Sequence, residues 1–182
     1  MIHKTSIAIL FVITLCLRLI LPSSALDFSI VISRDGHRRP KSARSLARKF
    51  LDAHNKARRE VGLDQVVWDA DLAAYAASYA SRRAEDCALI HSHGPFGENI
   101  ACGSGELLVR DAVKMWVDEK RYYEDDNATC HAPYGGTCLH YTQVAWRDTV
   151  RIGCAKVRCK NGGTFITCNY YPPGNHVGQK PY

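Results

Sequence analysis

Apolar spacing, element order and cysteine content together predict an α+β fold, with a central, mainly antiparallel sheet covered by helices and stabilised by disulfides. From Leu46 to Met115 apolar residues recur three or four apart, as on one helix face; from His140 onward they alternate as along a strand. Helices first and strands last, with no internal repeat, argue against a regularly alternating parallel sheet. Seven cysteines (Cys87, Cys102, Cys130, Cys138, Cys154, Cys159 and Cys168) follow an export signal, a usage that belongs to an oxidising compartment.

The signal comes first. Met1-Ile2-His3-Lys4 is a short basic start, Ile7 to Leu21 an apolar run, and Ser23-Ser24-Ala25 the small residues of a cleavage site, so residues 1–25 are expected to be removed together with Cys16. Arg18 leaves the run shorter than the ~20 residues of a spanning helix, and no second run of that length follows; a soluble, secreted chain without a transmembrane segment is expected. Residues 26–44 read as a flexible basic lead-in. The formal charge is +6, but Arg34 to Arg59 alone holds ten Lys and Arg against Asp35 and Asp52, so the basicity is regional. Such an arm either attracts anionic wall polymers and headgroups or is a solvated linker. It lacks the aromatics that stack on bases, which excludes nucleic acid as the expected partner.

The folded domain is expected over 45–182. Ser45 can cap a helix whose Leu46, Phe50, Ala53/His54, Ala57 and Val61 share a face and which Gly62 stops. Asp69 or Asp71 opens a second helix, Leu72 to Ala84, whose alanines predict close packing against another element. A Gly/Pro/His-rich loop spans His91 to Gly97, and a third helix runs from about Glu106 to Lys120. His140, Thr142, Val144 and Trp146 alternate with Tyr141, Gln143 and Ala145, which predicts a strand. Arg151 to Cys159 and Thr164 to Tyr170 predict two more, joined across Lys160-Asn161-Gly162-Gly163 as a hairpin. Trp68, Trp116 and Trp146 read as core anchors, and Asn127-Ala128-Thr129 is a glycosylation sequon with Asn127 as acceptor.

Hydrolase signatures are missing: there is no Gly-x-Ser-x-Gly elbow, no His-Glu-x-x-His helix and no papain-like cysteine context. Six paired cysteines permit fifteen connectivities, so bridges cannot be assigned from spacing.

Three motifs in order carry a resemblance: Gly97-Glu98-Asn99-Ile100 after His91-Ser92, His140-Tyr141-Thr142-Gln143-Val144-Ala145-Trp146 after Cys138, and Cys168-Asn169-Tyr170-Tyr171-Pro172-Pro173-Gly174-Asn175. Together they resemble the CAP superfamily of cysteine-rich secretory proteins, antigen 5 and pathogenesis-related 1 proteins. His54-Asn55-Lys56-Ala57-Arg58, Trp68-Asp69 and the closing Gly178-Gln179-Lys180-Pro181-Tyr182 are most similar to its plant branch. The likeness runs from about Ala47 to Tyr182. It implies a three-layer α-β-α sandwich, a monomer secreted to the apoplast or cell wall, and a non-catalytic antimicrobial role in plant defence. It also implies bridges Cys87–Cys159, Cys130–Cys138 and Cys154–Cys168. A cleft would gather His91, Glu98, Glu119 and His140, a set that suits a divalent, zinc-like ion although no cofactor is required.

Further implications are sterol or other lipid binding, with Tyr122 to Pro133 as a candidate wall, and release of a C-terminal signalling peptide from Pro172 to Tyr182. The alternatives are a metal-dependent hydrolase using the four cleft residues, and a module that binds microbial surface or cell wall. Three features depart from the family pattern: Cys102, an odd thiol expected to be buried; His93, beside His91; and the long basic lead-in.

Overall fold

A turn built from Lys160-Asn161-Gly162-Gly163 joins two antiparallel strands at the centre of the sheet, with Gly162 at φ +84°, where an L side chain is strained. The computed structural model describes residues 41–182; the expected signal peptide, residues 1–25, and residues 26–40 of the expected lead-in lie outside the described residues. In chain order the elements are α1 (Lys41–Arg59), β1 (Val67–Trp68), α2 (Ala70–Arg83), β2 (Gly97–Gly103), α3 (Val109–Asp118), a 3-10 turn Glu119–Tyr122, β3 (Tyr123–Glu124), β4 (Thr129–Cys130), a second 3-10 turn Pro133–Gly135, α4 (Leu139–Val144), β5 (Arg151–Arg158) and β6 (Thr164–Tyr171). The main sheet has the order β1-β5-β6-β2; β5–β6 and β6–β2 are antiparallel, and the two-residue β1 joins β5 in parallel.

Strand alternation makes this an α-β-α stack. Ile152, Cys154, Ile166, Cys168 and Tyr170 point to one face, where they pack with Phe50 and Ala57 of α1, Val109, Val113 and Trp116 of α3, and Val144 of α4. Ala155 and Phe165 point to the other and meet Ala76, Tyr79 and Ala80 of α2. The alanines of α2 permit a close approach: a Cβ on Gly153 would sit 2.1 Å from the Ala73 nitrogen. Asp69 is the α2 cap, its carboxylate accepting from Asp71 and Leu72 N–H groups. Those bonds are the main reason its carboxyl titrates below the ordinary range, assisted by Arg151. Bridges Cys87–Cys159, Cys130–Cys138 and Cys154–Cys168 are formed.

Four local expectations are corrected. Helix α1 already runs from Lys41, so Ser45 lies inside it and is not its cap. Helix α3 is shorter than 106–120 because Leu107 N–H donates to Thr164 Oγ1, tying that stretch to β6. Strand β2 begins at Gly97, the last residue of the predicted loop, so Glu98 directly after it is a strand residue. Residues 139–144 form α4, not a strand. Glu119, distant in sequence, accepts from the His140 and Tyr141 N–H groups at 3.0 and 3.1 Å, satisfying the helix start, and Thr142 Oγ1 bonds back to Cys138 O. Residues 141–146 are all buried, so the alternation along them never served a two-faced strand.

Candidate functional site

Edge strand β2 organises the site. Successive residues on it face opposite sides of the sheet, so Glu98 reaches one way and Asn99 the other. Glu98 Oε1 takes the His91 Nδ1 at 2.7 Å and the Ser92 N–H at 2.8 Å, while its buried Oε2 has no protein partner. On the other side, Asn99 Nδ2 donates to the carbonyl of His140 at 3.0 Å. His140 Nδ1 lies 2.6 Å from Glu119 Oε1, at the join between α3 and the 3-10 turn. The predicted residues therefore meet as two His–Glu pairs flanking one strand. Among the described residues no three His, Cys, Asp or Glu side chains converge tightly enough to hold a metal by themselves.

The pairs have one design. Each carboxylate accepts from imidazole Nδ1 and from backbone N–H groups, which directs Nε2 to be the free ring nitrogen. Glu98 is the more enclosed carboxylate, with 6% of its side chain exposed, against 49% for its partner His91. His140 stacks on Trp116 at 6.4 Å and 15°, and Trp116 Nε1 is fixed by the Ile100 carbonyl.

Other predicted positions fall as follows. His93 is an exposed loop residue at φ +54°. Asn127 is exposed, bonded through its side chain to Glu124 and to the Thr129 N–H. Cys102 is unpaired and half-buried at the rim of the cluster around Phe165. Trp116 and Trp146 are buried and Trp68 is half-buried. From the segment proposed as a sterol wall, Tyr123, Ala128 and Cys130 line a cavity of about 400 Å³, together with Asn175–Val177 and Pro181 among others.

The C-terminal stretch is tied down. Arg147 N–H donates to Pro181 O at 2.6 Å, Tyr182 Oη lies between Tyr141 Oη (2.6 Å) and Asp125 Oδ1 (2.7 Å), and Lys180 Nζ bonds the Asp125 and Asp126 carbonyls. Burial is the main reason that the Tyr141 phenol is pushed up to about 12.

Sequence reasoning placed His54 on the apolar face of α1 but foresaw neither its bonding nor that of Arg58. Arg58, 1% exposed, donates to the carbonyls of Asp64, Val144, Trp146, Arg147 and Thr149, so one positive charge counted in the basic region is internal. His54, 0% exposed, bonds Phe50 O and Tyr170 Oη. The signal was present in His54-Asn55-Lys56-Ala57-Arg58: polar groups stood on the helix's apolar face.

Comparison with known proteins now bears on identity. The profile of the cysteine-rich secretory protein family, CAP, matches residues 51–170. This chain belongs to the CAP family. Pathogenesis-related protein 1B of Nicotiana tabacum is 51% identical over 160 residues, covering 87% of this chain and 91% of that one. Pathogenesis-related protein 1A1 of Solanum lycopersicum is 58% identical over 128 residues, covering 70% and 72%. This CAP protein is thus of the pathogenesis-related 1 type. Among solved structures, Na-ASP-1 superposes with TM-score 0.65 at 29% identity, over 76% of this chain and 41% of that one. NaASP2, solved with Zn2+, gives TM-score 0.61 at 25% identity over 75% and 84%.

Proposed function

We propose that this pathogenesis-related 1 protein is a secreted, non-catalytic plant defence protein that acts on microbes by capturing a sterol. The cavity of about 400 Å³ carries this reading: no Asp, Glu, Lys or Arg lines it. A sterol is a flat apolar ring system with one hydroxyl, and Tyr123 on the cavity wall has a buried phenol without a protein partner. The groove between α1 and α3 is larger, about 940 Å³, but ten of its lining residues are Asp, Glu, Lys or Arg, which suits such a ligand poorly. A labelled sterol is expected to bind saturably at micromolar protein and to be displaced by unlabelled sterol. Tyr123→Phe should weaken binding by about tenfold, the worth of one hydrogen bond, and a charge at the rim (Val177→Glu) should weaken it further. No saturable binding would remove the reading.

The cavity is also lined by the stretch proposed to leave as a signalling peptide, residues 172–182. The bonds from Lys180, Pro181 and Tyr182 favour retention after a cut at Tyr171–Pro172, so release would follow their loss. In nicked protein, Lys180→Ala with Tyr182→Phe is expected to speed peptide loss in gel filtration; unchanged retention would count against this hold.

A divalent ion fits the donor chemistry of the two pairs. His91 and His140 would hold it through Nε2, with Glu98 and Glu119 orienting the rings, the arrangement common around protein-bound zinc. When bound, the ion would supply Lewis acidity. Zn2+ in the NaASP2 structure supports this. The hydrolase alternative needs a base, and only Glu98 Oε2 is uncommitted; its enclosure disfavours that role. Turnover abolished by chelator, by His140→Ala and by Glu98→Gln would favour hydrolysis instead. The wall-binding alternative predicts salt-sensitive polyanion retention that is lost when residues 26–44 are deleted.

A further inference from the structure

We infer that buried His54 is a positioning residue for the cleft histidine His140, acting through Tyr170 and Asn99. This rests on the reading of His140 as a metal-holding imidazole.

The chain of bonds has one direction. Phe50 O can only accept, so the proton of a neutral His54 ring sits on Nδ1, 2.8 Å away. Nε2 must then accept, and the group 2.9 Å from it, Tyr170 Oη, must donate. With its own proton so used, Tyr170 oxygen accepts from Asn99 Nδ2 at 3.1 Å, and the same Nδ2 donates to the His140 carbonyl at 3.0 Å. His54 and Tyr170 are fully enclosed and Asn99 is 1% exposed, so water cannot substitute for a lost partner. Enclosure also keeps the first two groups of the relay in the required state: it pushes His54 down to about 4 and the Tyr170 phenol well up.

A second contact runs beside the first. The His54 ring lies 6.2 Å from Trp116, whose other neighbour is the stacked ring of His140. The Asn99 bond fixes where the α4 backbone sits, Trp116 fixes the plane of the imidazole, and Glu119 fixes its tautomer. The His91–Glu98 pair takes no bond from this chain, since Glu98 and Asn99 face opposite ways. Truncating the relay should therefore disturb one cleft histidine and spare the other.

Tyr170→Phe removes a single oxygen. Long-range 1H–15N spectra of the zinc-free protein are expected to show the His140 ring nitrogens shifted, with those of His91 unchanged. Zn2+ affinity by calorimetry should fall by about ten- to a hundredfold, the usual effect of losing an outer partner. His54→Gln, which can accept at one amide atom and donate at the other, should retain wild-type His140 shifts, and His54→Phe should not. Phe165→Leu, in the cluster on the far side of the sheet, controls for destabilisation and should leave His140 alone. The inference is overturned if the His140 ring is unmoved in Tyr170→Phe, or if Phe165→Leu moves it equally. If wild-type protein binds no Zn2+, the metal reading fails, and the ring shifts alone decide the relay.

Discussion

His54 ties fold stability to acidity. Burial dominates its environment, with Arg58 adding repulsion, and the ring in the folded protein takes its proton near pH 4 instead of 6.5. The unfolded chain therefore binds that proton first. Stability is complete above about pH 6.5 and is lost as pH falls towards 4, by about 3 kcal/mol at most for this depression. Urea denaturation at pH 7 and pH 4.5 should show this loss, and His54→Gln should shrink it; an equal loss in both proteins would refute the assignment. Arg58 stands beside it as the opposite case. It keeps its charge inside the protein by giving donors to five backbone carbonyls, which staples the 144–149 segment to α1.

Among the elements, α2 and β5 approach each other backbone to backbone. Gly153 lies under the backbone of Leu72 and Ala73, and the first atom of any side chain would collide with it. Gly153→Ala is expected to destabilise by about 2 kcal/mol or more, read as a lower urea midpoint, since neither backbone can yield cheaply. An unchanged midpoint would mean that α2 slides freely on the sheet. Helix α4 shows the opposite dependence: its six residues hold their shape because a carboxylate from elsewhere satisfies the first N–H groups. Alternating residues predicted a strand there, and nothing within 139–146 announces Glu119. By contrast the β5–β6 hairpin, the α2 cap and the Gly62 stop were all legible, because each depends on neighbours in the chain.

For the whole molecule, the bridges divide by the loop they close. Cys87–Cys159 spans 72 residues and joins the end of α2 to the hairpin, whereas Cys130–Cys138 spans 8. Loop-closure entropy assigns about 4 kcal/mol to the first and about 2.5 kcal/mol to the second. Replacing each pair by alanine should lower unfolding free energy in that order; the reverse order would point to native-state strain or denatured-state structure instead. The same logic applies to the site, whose four residues come from a loop, a strand, a helix end and a second helix. Their types were visible in the chain, but the two-by-two pairing and the relay behind His140 were not.

Local chemistry in the sequence determined the α+β class, the α2 cap, the glycine turns and the cysteine inventory, because each follows from residues a few places apart. Tertiary structure alone decided that 139–144 is helical, that Glu98 stands on an edge strand, and which distant partners Arg58 and His54 find inside the protein. Those outcomes depend on groups brought together across up to a hundred or so residues. A buried polar atom must find its partner wherever the fold puts one.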